Sequence, residues 1–217
     1  MIKTPLAPTQ RLLLDGEPWE TYSKLLRLFD ERRHLRITYD RGALELMTLS
    51  AEHERAKHLI GTLIIVLAYD LGLPIAGYGS LTFKRRRKQR GLEPDECYWI
   101  RNEAKVRNLT KFSFRRDPPP DLVVEVDISA SSLNRLLIYA VMGVLEVWRY
   151  DGDTLGVYIL GADRKYTIQD RSMAFPFLRP ADLLQFLAMY SAQGETEMVR
   201  TFRTWVQQQE AAGWRTS

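Results

Sequence analysis

The stretch PPPDLVVEVDIS, residues 118–129, has the alternation of a β-strand whose two faces differ. No basic residue stands on its acidic face, and three carboxylates this close repel one another unless a cation neutralises them. A divalent cation is one such partner, although ordinary solvated strands alternate in the same manner. The apolar face is formed by Leu122, Val124, Val126 and Ile128, and the acidic face by Asp121, Val123, Glu125 and Asp127.

Strand geometry limits which acids can act together. At a rise of ~3.3 Å per residue, Glu125 lies about 7 Å from Asp127 and about 13 Å from Asp121. A better partner is Asp95 in EPDECYWI, residues 93–100, because pairing of these two short strands brings Asp95 against Glu125. Two carboxylates completed by water and substrate oxygens suit Mg²⁺ or Mn²⁺. The alternative for Asp95 is a turn residue, since Asp is common after Pro.

The surrounding sequence predicts an α/β fold. Helical spacing favours an amphipathic helix over residues 19–32, and the turn Asp40-Arg41-Gly42 predicts a β-hairpin. Ser50 is the expected N-cap of a long core helix that stops at Gly72. The later elements are expected to be short strands near 76–84, 95–100 and 121–128, a helix capped by Ser131 or Ser132 and reaching Met142, the strands LEVWRY, LGVYIL and KYTIQD, a helix from Pro180 and a last helix over 195–209.

Composition places the chain among globular proteins. It has 217 residues, a formal net charge of +4 and a single cysteine, Cys97, which excludes an internal disulfide framework and is expected to fill the core. The longest apolar stretch, residues 59–69, is about half the ~20 residues that a membrane span requires, and no apolar run at the N-terminus resembles a signal peptide. We therefore expect a soluble, cytoplasmic protein without a membrane partner.

Four segments together resemble a known family. The segments LELMTLSAEHE, EPDECYWI, PDLVVEVDIS and SSLNRLLIYAVMGVLEVWRYDG are similar to the Uma2 family of restriction-endonuclease-like proteins, within the PD-(D/E)XK nuclease superfamily, over about residues 15–190. The resemblance implies an α/β core with a central mixed sheet flanked by helices, plus an added N-terminal helix and hairpin and C-terminal helices. We expect one nuclease-like domain over residues 1–217, with a helical extension at about 194–212.

The resemblance also implies a set of site residues. Asp95 and Glu125 match the superfamily's metal-binding acids, with Asp121 as a further acid of the same strand face. The expected Lys two residues after Glu125 is replaced by Asp127, and the family's basic position on the following helix, four residues before Tyr139, is Arg135. Arg stays protonated, so it supplies charge and hydrogen bonds but cannot accept a proton. A solvated helix-face cation is the alternative for Arg135.

Two upstream residues match positions near the family's active cleft. They are Glu45 in LELM and His53, which lies one helical turn before Lys57, so that His53 and Lys57 point the same way. His53 is expected to contact phosphate or hold a water at the site, or else simply to occupy the first turn of its helix.

A strongly basic run follows residue 83. It is either a solvated loop or a flexible loop that grips a nucleic-acid backbone, as Lys57 would beside the cleft. The run contains Lys84, Arg85, Arg86, Arg87, Lys88 and Arg90.

The sequence thus favours a Mg²⁺-dependent DNA endonuclease. The alternative is a catalytically impaired nuclease-fold protein that binds DNA, because Arg135 replaces the expected Lys. A sugar hydrolase fits poorly, because the sequence offers no clear arrangement of two separated acids with an aromatic platform. The stripe Met198, Phe202, Trp205 and Val206 packs on its own core or forms a homodimer.

Overall fold

The computed structural model describes residues 10–29, 35–128 and 133–214, which form two β-sheets and five α-helices. The helices are α1 (Trp19–Leu28), α2 (Ala51–Asp70), α3 (Glu103–Val106), α4 (Arg135–Met142) and α5 (Leu184–Ala211). The strands are β1 (Arg11–Leu14), β2 (Leu35–Asp40), β3 (Ala43–Thr48), β4 (Ala76–Gly77), β5 (Phe83–Arg85), β6 (Arg90–Leu92), β7 (Glu96–Trp99), β8 (Leu122–Val126), β9 (Glu146–Tyr150), β10 (Leu155–Leu160) and β11 (Tyr166–Gln169). The predicted α/β architecture of a mixed sheet flanked by helices is confirmed.

The larger sheet has six strands in the order β11-β10-β9-β8-β7-β4. It is mixed, because β8 and β9 run parallel and are joined through α4, whereas the other neighbours are antiparallel. Every residue of β8 is buried. Leu122 and Val124 pack with α2 and α5 on one face, and Val123 packs with α4 on the other. The solvated-strand alternative for this segment is therefore wrong.

The smaller sheet has five antiparallel strands in the order β1-β3-β2-β6-β5. The predicted hairpin is confirmed as β2 and β3, joined by Arg41 and Gly42 with φ angles of 50° and 100°, as a tight two-residue turn requires. This hairpin is not a separate addition to the fold, because β1 pairs with β3 on one side of it and β6 pairs with β2 on the other. One hydrophobic cluster of α1 and β2, including Tyr22 and Tyr39, supports this sheet.

The basic run is a β-hairpin rather than a loop. Residues 83–92 form β5, a 3-10 turn over Arg86–Lys88 and β6, with Gln89 in the left-handed region at the turn. The buried side chains of Phe83 and Leu92 anchor the two strands in the core under α4. The many basic residues between these anchors favoured a loop, so the sequence did not predict that the two ends of the run are buried.

Helix ends follow their capping residues. The side chain of Ser50 accepts the backbone N–H of His53 at 3.1 Å, as predicted for the start of α2. The helix α4 begins at Arg135 with Asn134 as its N-cap, whereas the predicted caps Ser131 and Ser132 lie outside the described residues. None of the helices in the described part of the chain is long and apolar enough to traverse a bilayer.

The C-terminal helix lies across the larger sheet. Helical structure continues from Leu184 to Ala211, but Gly194 has a φ of 78° and breaks the helix into the two halves that the sequence predicts. Met198, Phe202 and Val206 are fully buried against α2 and the sheet. This stripe is therefore occupied by the chain's own core.

Candidate active site

Asp95 and Glu125 meet because β7 and β8 are antiparallel neighbours. Their ladder pairs Glu96 with Val124, so the next step along both strands places Asp95 opposite Glu125. Asp95 Oδ2 accepts the backbone N–H of Val126 at 2.8 Å. Both acids line a pocket of about 330 Å³ that also has walls from β3 and α4. The strand positions alone were sufficient to predict this meeting.

Asp95 is held as a carboxylate by cations. His53 Nε2 lies 3.2 Å from Oδ2, and Arg36 Nε lies 3.7 Å from Oδ1. Burial alone would raise the pKa of Asp95, but the hydrogen bond with His53 and the charges of Arg135 and Arg36 lower it below its usual value. Burial likewise disfavours a charged His53, yet contacts with Asp95 and Glu54 raise the pKa of His53 to about 9. Asp95 and His53 are therefore an ion pair at neutral pH.

Glu125 is bound by two residues from α4. Its Oε1 accepts hydrogen bonds from Arg135 Nη2 at 2.8 Å and from the Tyr139 hydroxyl. The two donors converge because they lie four residues apart on one helix face. Burial and the nearby charge of Asp95 raise the pKa of Glu125, while Arg135 opposes that rise. Glu125 is therefore the acid of the pair that takes up a proton more readily.

Arg135 is not a solvated cation. Its Nη1 donates to Thr38 Oγ1 at 2.8 Å, and its Nη2 donates to the backbone carbonyl of Glu93 at 2.6 Å. The guanidinium thus connects α4 to the smaller sheet and to the segment that precedes Asp95. The charge of Glu125 raises the pKa of Arg135 well above its usual value despite burial, which fixes it in the protonated form.

The acidic face is thus neutralised by side chains from other elements. Glu125 pairs with Arg135 from α4 and Asp127 pairs with Arg149 from β9. Arg36 from β2 and His53 from α2 pair with Asp95 on the neighbouring segment. The three acids of the strand therefore do not by themselves require a divalent cation, because Glu125 and Asp127 have arginine partners that lie outside residues 118–129.

The two acids still fit a metal ion of modest affinity. Among the described residues, hydrogen bonds reach Asp95 Oδ2 and Glu125 Oε1, so an ion would be bound by Glu125 Oε2 and by Asp95 Oδ1, which lies 3.7 Å from Arg36 Nε. Two carboxylates together with substrate phosphate and water are a usual Mg²⁺ environment. Within residues 10–29, 35–128 and 133–214, no group of three or more His, Cys, Asp or Glu is placed to hold an ion. Such an ion would therefore depend on substrate oxygens.

His53 and Lys57 share a partner rather than facing solvent together. Glu54 lies 3.5 Å from His53 Nδ1 and 3.6 Å from Lys57 Nζ. The contact with His53 lowers the pKa of Glu54. His53 does occupy the first turn of α2, but its buried ring contacts Asp95 and so supports the site. Lys57 is half-buried beside Glu54.

Two predicted acids lie away from the pocket wall. Glu45 is buried on β3 opposite Thr38, and among the described residues it is Met47, two positions further on, that lines the pocket. Asp121 precedes β8, and its Oδ2 accepts the backbone N–H groups of Ile100 at 2.8 Å and Asn102 at 3.3 Å. The structure does not bring Asp121 to Glu125, because the strand separates them as its rise predicts.

The basic hairpin presents two kinds of side chain. Arg85 is turned inward, donating to the carbonyls of Phe114 and Met142, so it stabilises packing rather than facing a ligand. The hairpin contacts α4, the helix that carries Arg135. Its exposed basic residues are Lys84, Arg86, Arg87 and Lys88, of which Arg86 pairs with Glu20.

Sequence reasoning missed several residues around the acids. Arg36 and Thr38 alternate with the apolar Ile37 and Tyr39 along β2, a pattern that marks a polar strand face but not its target. In the sequence, Tyr139 only marks a position in the family's pattern. In the structure its hydroxyl donates a hydrogen bond to Glu125. Arg149 on β9 lines the pocket beside the same acid.

Comparison with known proteins gives one family. The model of a family described as "Uma2: Putative restriction endonuclease" matches residues 19–189, which is most of the chain. The matched range contains Asp95, Glu125, Arg135 and the strands that position them. No curated protein sequence matches the chain.

Proposed function

Because the chain belongs to the Uma2 family of the restriction-endonuclease-like PD-(D/E)XK superfamily, we propose that it is a Mg²⁺-dependent endonuclease that hydrolyses phosphodiester bonds in DNA. The observation that carries this proposal is the meeting of Asp95 and Glu125 across adjacent strands in one pocket. Mn²⁺ has the same preference for oxygen ligands and is expected to substitute.

The two acids would hold the ion together in this proposal. Asp95, kept ionised by His53 and Arg36, and Glu125 would hold the ion through the oxygens that make no hydrogen bond to the described residues. When bound, the ion supplies Lewis-acid chemistry, activating water and offsetting phosphate charge.

Arg135 supports the site through charge. It orients Glu125 and adds positive potential where charge develops on the phosphate, but being protonated it cannot take a proton from water. Tyr139 fixes Glu125 from the same helix. The chain therefore has no Lys at this position that could act as a base.

The exposed basic residues of the hairpin, Lys84, Arg86, Arg87 and Lys88, are proposed to contact the DNA backbone. Because the contacts of such side chains are with phosphate, binding should weaken as salt rises and show little sequence preference.

Incubation of plasmid DNA with Mg²⁺ tests the catalytic proposal. The native protein should nick or linearise the plasmid, and a variant with Asp95→Ala and Glu125→Ala should not, although it should retain the native circular dichroism spectrum. EDTA should stop the native reaction. Equal nicking by both proteins would contradict the proposal.

One observation favours a second function, a nuclease fold that binds DNA without cutting it. The guanidinium of Arg135 donates hydrogen bonds to Thr38, the Glu93 carbonyl and Glu125. It stays protonated and has no atom that could accept a proton from water. On this alternative, the native protein shifts labelled DNA in a salt-dependent manner but leaves plasmid intact, and Arg135→Lys confers cleavage. Cleavage by the native protein would reject it.

A further inference from the structure

Three arginines approach the pocket, and they differ in how far they are committed to the protein. The side chains of Arg36 and Arg135 are 5% and 12% exposed, whereas that of Arg149 is 38% exposed. Arg135 uses its two terminal nitrogens on Thr38, Glu93 and Glu125. The pocket's outward-facing guanidinium is therefore that of Arg149.

Arg149 stands directly beside Glu125. The parallel ladder of β8 and β9 pairs these two residues, and paired residues of adjacent strands project from the same face of a sheet. Both line the pocket. A cation at this position therefore lies one strand spacing, ~4.8 Å between backbones, from the proposed metal-binding acid.

Two neighbours hold the guanidinium in place. Arg149 Nη2 donates to Asp127 Oδ2 at 2.6 Å, and Arg149 Cζ lies 5.6 Å from the centre of the Tyr158 ring. Within the described residues, no hydrogen bond is made by Arg149 Nε or Nη1. One hydrogen bond from Nη2 leaves the other N–H groups of the guanidinium available, and two adjacent N–H groups match two oxygens of a phosphate.

Asp127 makes this arrangement necessary. Its carboxylate also lines the pocket, where an unpaired negative charge would repel a phosphodiester. The ion pair with Arg149 neutralises that carboxylate and at the same time restrains the arginine. Asp127 thus stands where the superfamily's Lys is expected. Its partner Arg149, on the neighbouring strand, supplies the pocket with a positive charge.

We infer that Arg149 binds the non-bridging oxygens of the scissile phosphodiester, with Asp127 and Tyr158 holding it in position. This inference rests on the proposed nuclease function and extends it, because it assigns the contact with the substrate phosphate to a residue outside the Asp95, Glu125 and Arg135 set. Arg149 acts on bound DNA rather than on the metal, so its effect is measurable without divalent ions.

The test compares native protein with Arg149→Gln, Arg149→Lys and a control, Arg200→Gln. Arg200 is also paired with a carboxylate, Glu197, but lies on α5, across the sheet from the pocket. Binding of a short fluorescent DNA duplex is measured without divalent ions over a range of salt concentrations, and cleavage of the same duplex is measured with Mg²⁺.

Arg149→Gln should weaken duplex binding about tenfold, as expected for loss of a charge-assisted hydrogen bond, and reduce the slope of log affinity against log salt by about one. It should also lower kcat/KM at least as much. Arg149→Lys should restore the salt slope, because the charge is kept, but only part of kcat/KM, because the forked donor is lost. Arg200→Gln should match the native protein in all three measurements.

The outcomes separate the two proposals. If the native protein cuts DNA and Arg149→Gln behaves like Arg200→Gln, the inference about Arg149 is wrong while the proposed function stands. If the native protein neither binds nor cuts DNA, the proposed function fails and the inference fails with it. If Arg149→Gln does not fold, Arg149→Lys decides, since a native kcat/KM for that variant overturns the inference.

Discussion

The two ends of β8 carry acids that the sequence places on one face but that the structure treats differently. Asp121 is satisfied by backbone N–H groups of Ile100 and Asn102. Glu125 is satisfied by the side chains of Arg135 and Tyr139 from a helix, and it opens onto a pocket. A carboxylate bound by amides of its own sheet ties a loop to a strand, whereas one held by ionisable side chains beside a pocket is a candidate for chemistry.

Removing the charge of the acid at each end of β8 gives the largest expected contrast in cleavage rate. Glu125→Gln should lower kcat/KM for plasmid cleavage about 10³-fold, because a neutral amide is a poor metal ligand and about 4 kcal/mol of transition-state stabilisation is lost. Asp121→Asn should leave kcat/KM per folded molecule within about twofold of native, because this end of the strand does not line the pocket.

Both variants are compared at equal folded fraction, determined by circular dichroism. Glu125→Gln leaves Arg135 without its charged partner, so some loss of stability is expected for it as well. A Glu125→Gln variant that cuts at the native rate, or an Asp121→Asn variant that is folded and inactive, would reverse the comparison.

The alternation of residues 118–129 was enough to predict the strand, its two faces and, through register, the meeting of Asp95 with Glu125. Periodicity works here because both faces of the strand are fixed by packing. It does not tell which carboxylate will find amides and which will find cations, because the partners of Asp121 come from the turn after β7 and those of Glu125 from α4.

The features that the sequence did not predict depend on contacts between distant parts of the chain. Thr38 and Arg36 reach the site from a different sheet: Thr38 contacts Arg135, which lies 97 residues further along the chain, and Arg36 contacts Asp95, which lies 59 residues further along. Six cations in seven residues usually lie in solvent, so the basic run predicts a loop, whereas its buried anchors Phe83 and Leu92 lie at its two edges. Local patterns therefore predict elements better than they predict which elements touch.

The pH dependence of stability should show that Asp95, which lies opposite Glu125, is held by charge. The pKa of His53 is raised from 6.5 to about 9 in the folded protein, so the folded state binds the proton more tightly than the unfolded state. The stabilisation is complete below pH ~6.5 and is lost as pH rises to about 9, and a shift of this size corresponds to about 3 kcal/mol.

The measurement is urea unfolding between pH 6 and pH 9.5 for native protein and His53→Gln. The native free energy of unfolding should fall over this range, and the variant should start lower and fall less. His58→Gln, which removes an exposed histidine paired with Glu195, controls for the loss of an imidazole. A native profile that is level from pH 6.5 to 9 would contradict an ionised pair of His53 and Asp95.

The Asp121 end should respond to truncation through stability alone. Asp121→Ala leaves the buried N–H of Ile100 and that of Asn102 without an acceptor and should cost about 2 kcal/mol in the free energy of unfolding. Asp121→Asn keeps one acceptor oxygen and should lose about half as much. Urea denaturation at neutral pH measures both, and equal stability of Asp121→Ala and native protein would show that these hydrogen bonds contribute little.

Substitution of Glu146 should have the smallest effect on stability. This residue also shows how a buried acid held by N–H groups differs from one held by cations. It is fully buried at the start of β9 and accepts the N–H groups of Trp148 at 2.6 Å, Met173 at 2.8 Å and Ala174 at 2.6 Å, with no ion pair in the described part of the chain. Burial raises the pKa of Glu146, whereas cations lower that of the equally buried Asp95. The direction of the shift thus distinguishes Glu146 from Asp95, but not from Glu125, whose pKa is also raised by burial.

Glu146→Gln should therefore change the free energy of unfolding by less than about 1 kcal/mol, because the neutral amide preserves an acceptor and avoids the desolvation of a charge. Since the folded pKa is raised, native stability relative to this variant should fall as pH rises above the unfolded value of ~4.3. Urea unfolding at pH 5 and pH 7 measures the difference between Glu146→Gln and native protein. A loss above about 2 kcal/mol at pH 7 would mean that the charge itself stabilises the loop, and the direction of a pKa shift would then no longer distinguish Glu146 from Asp95.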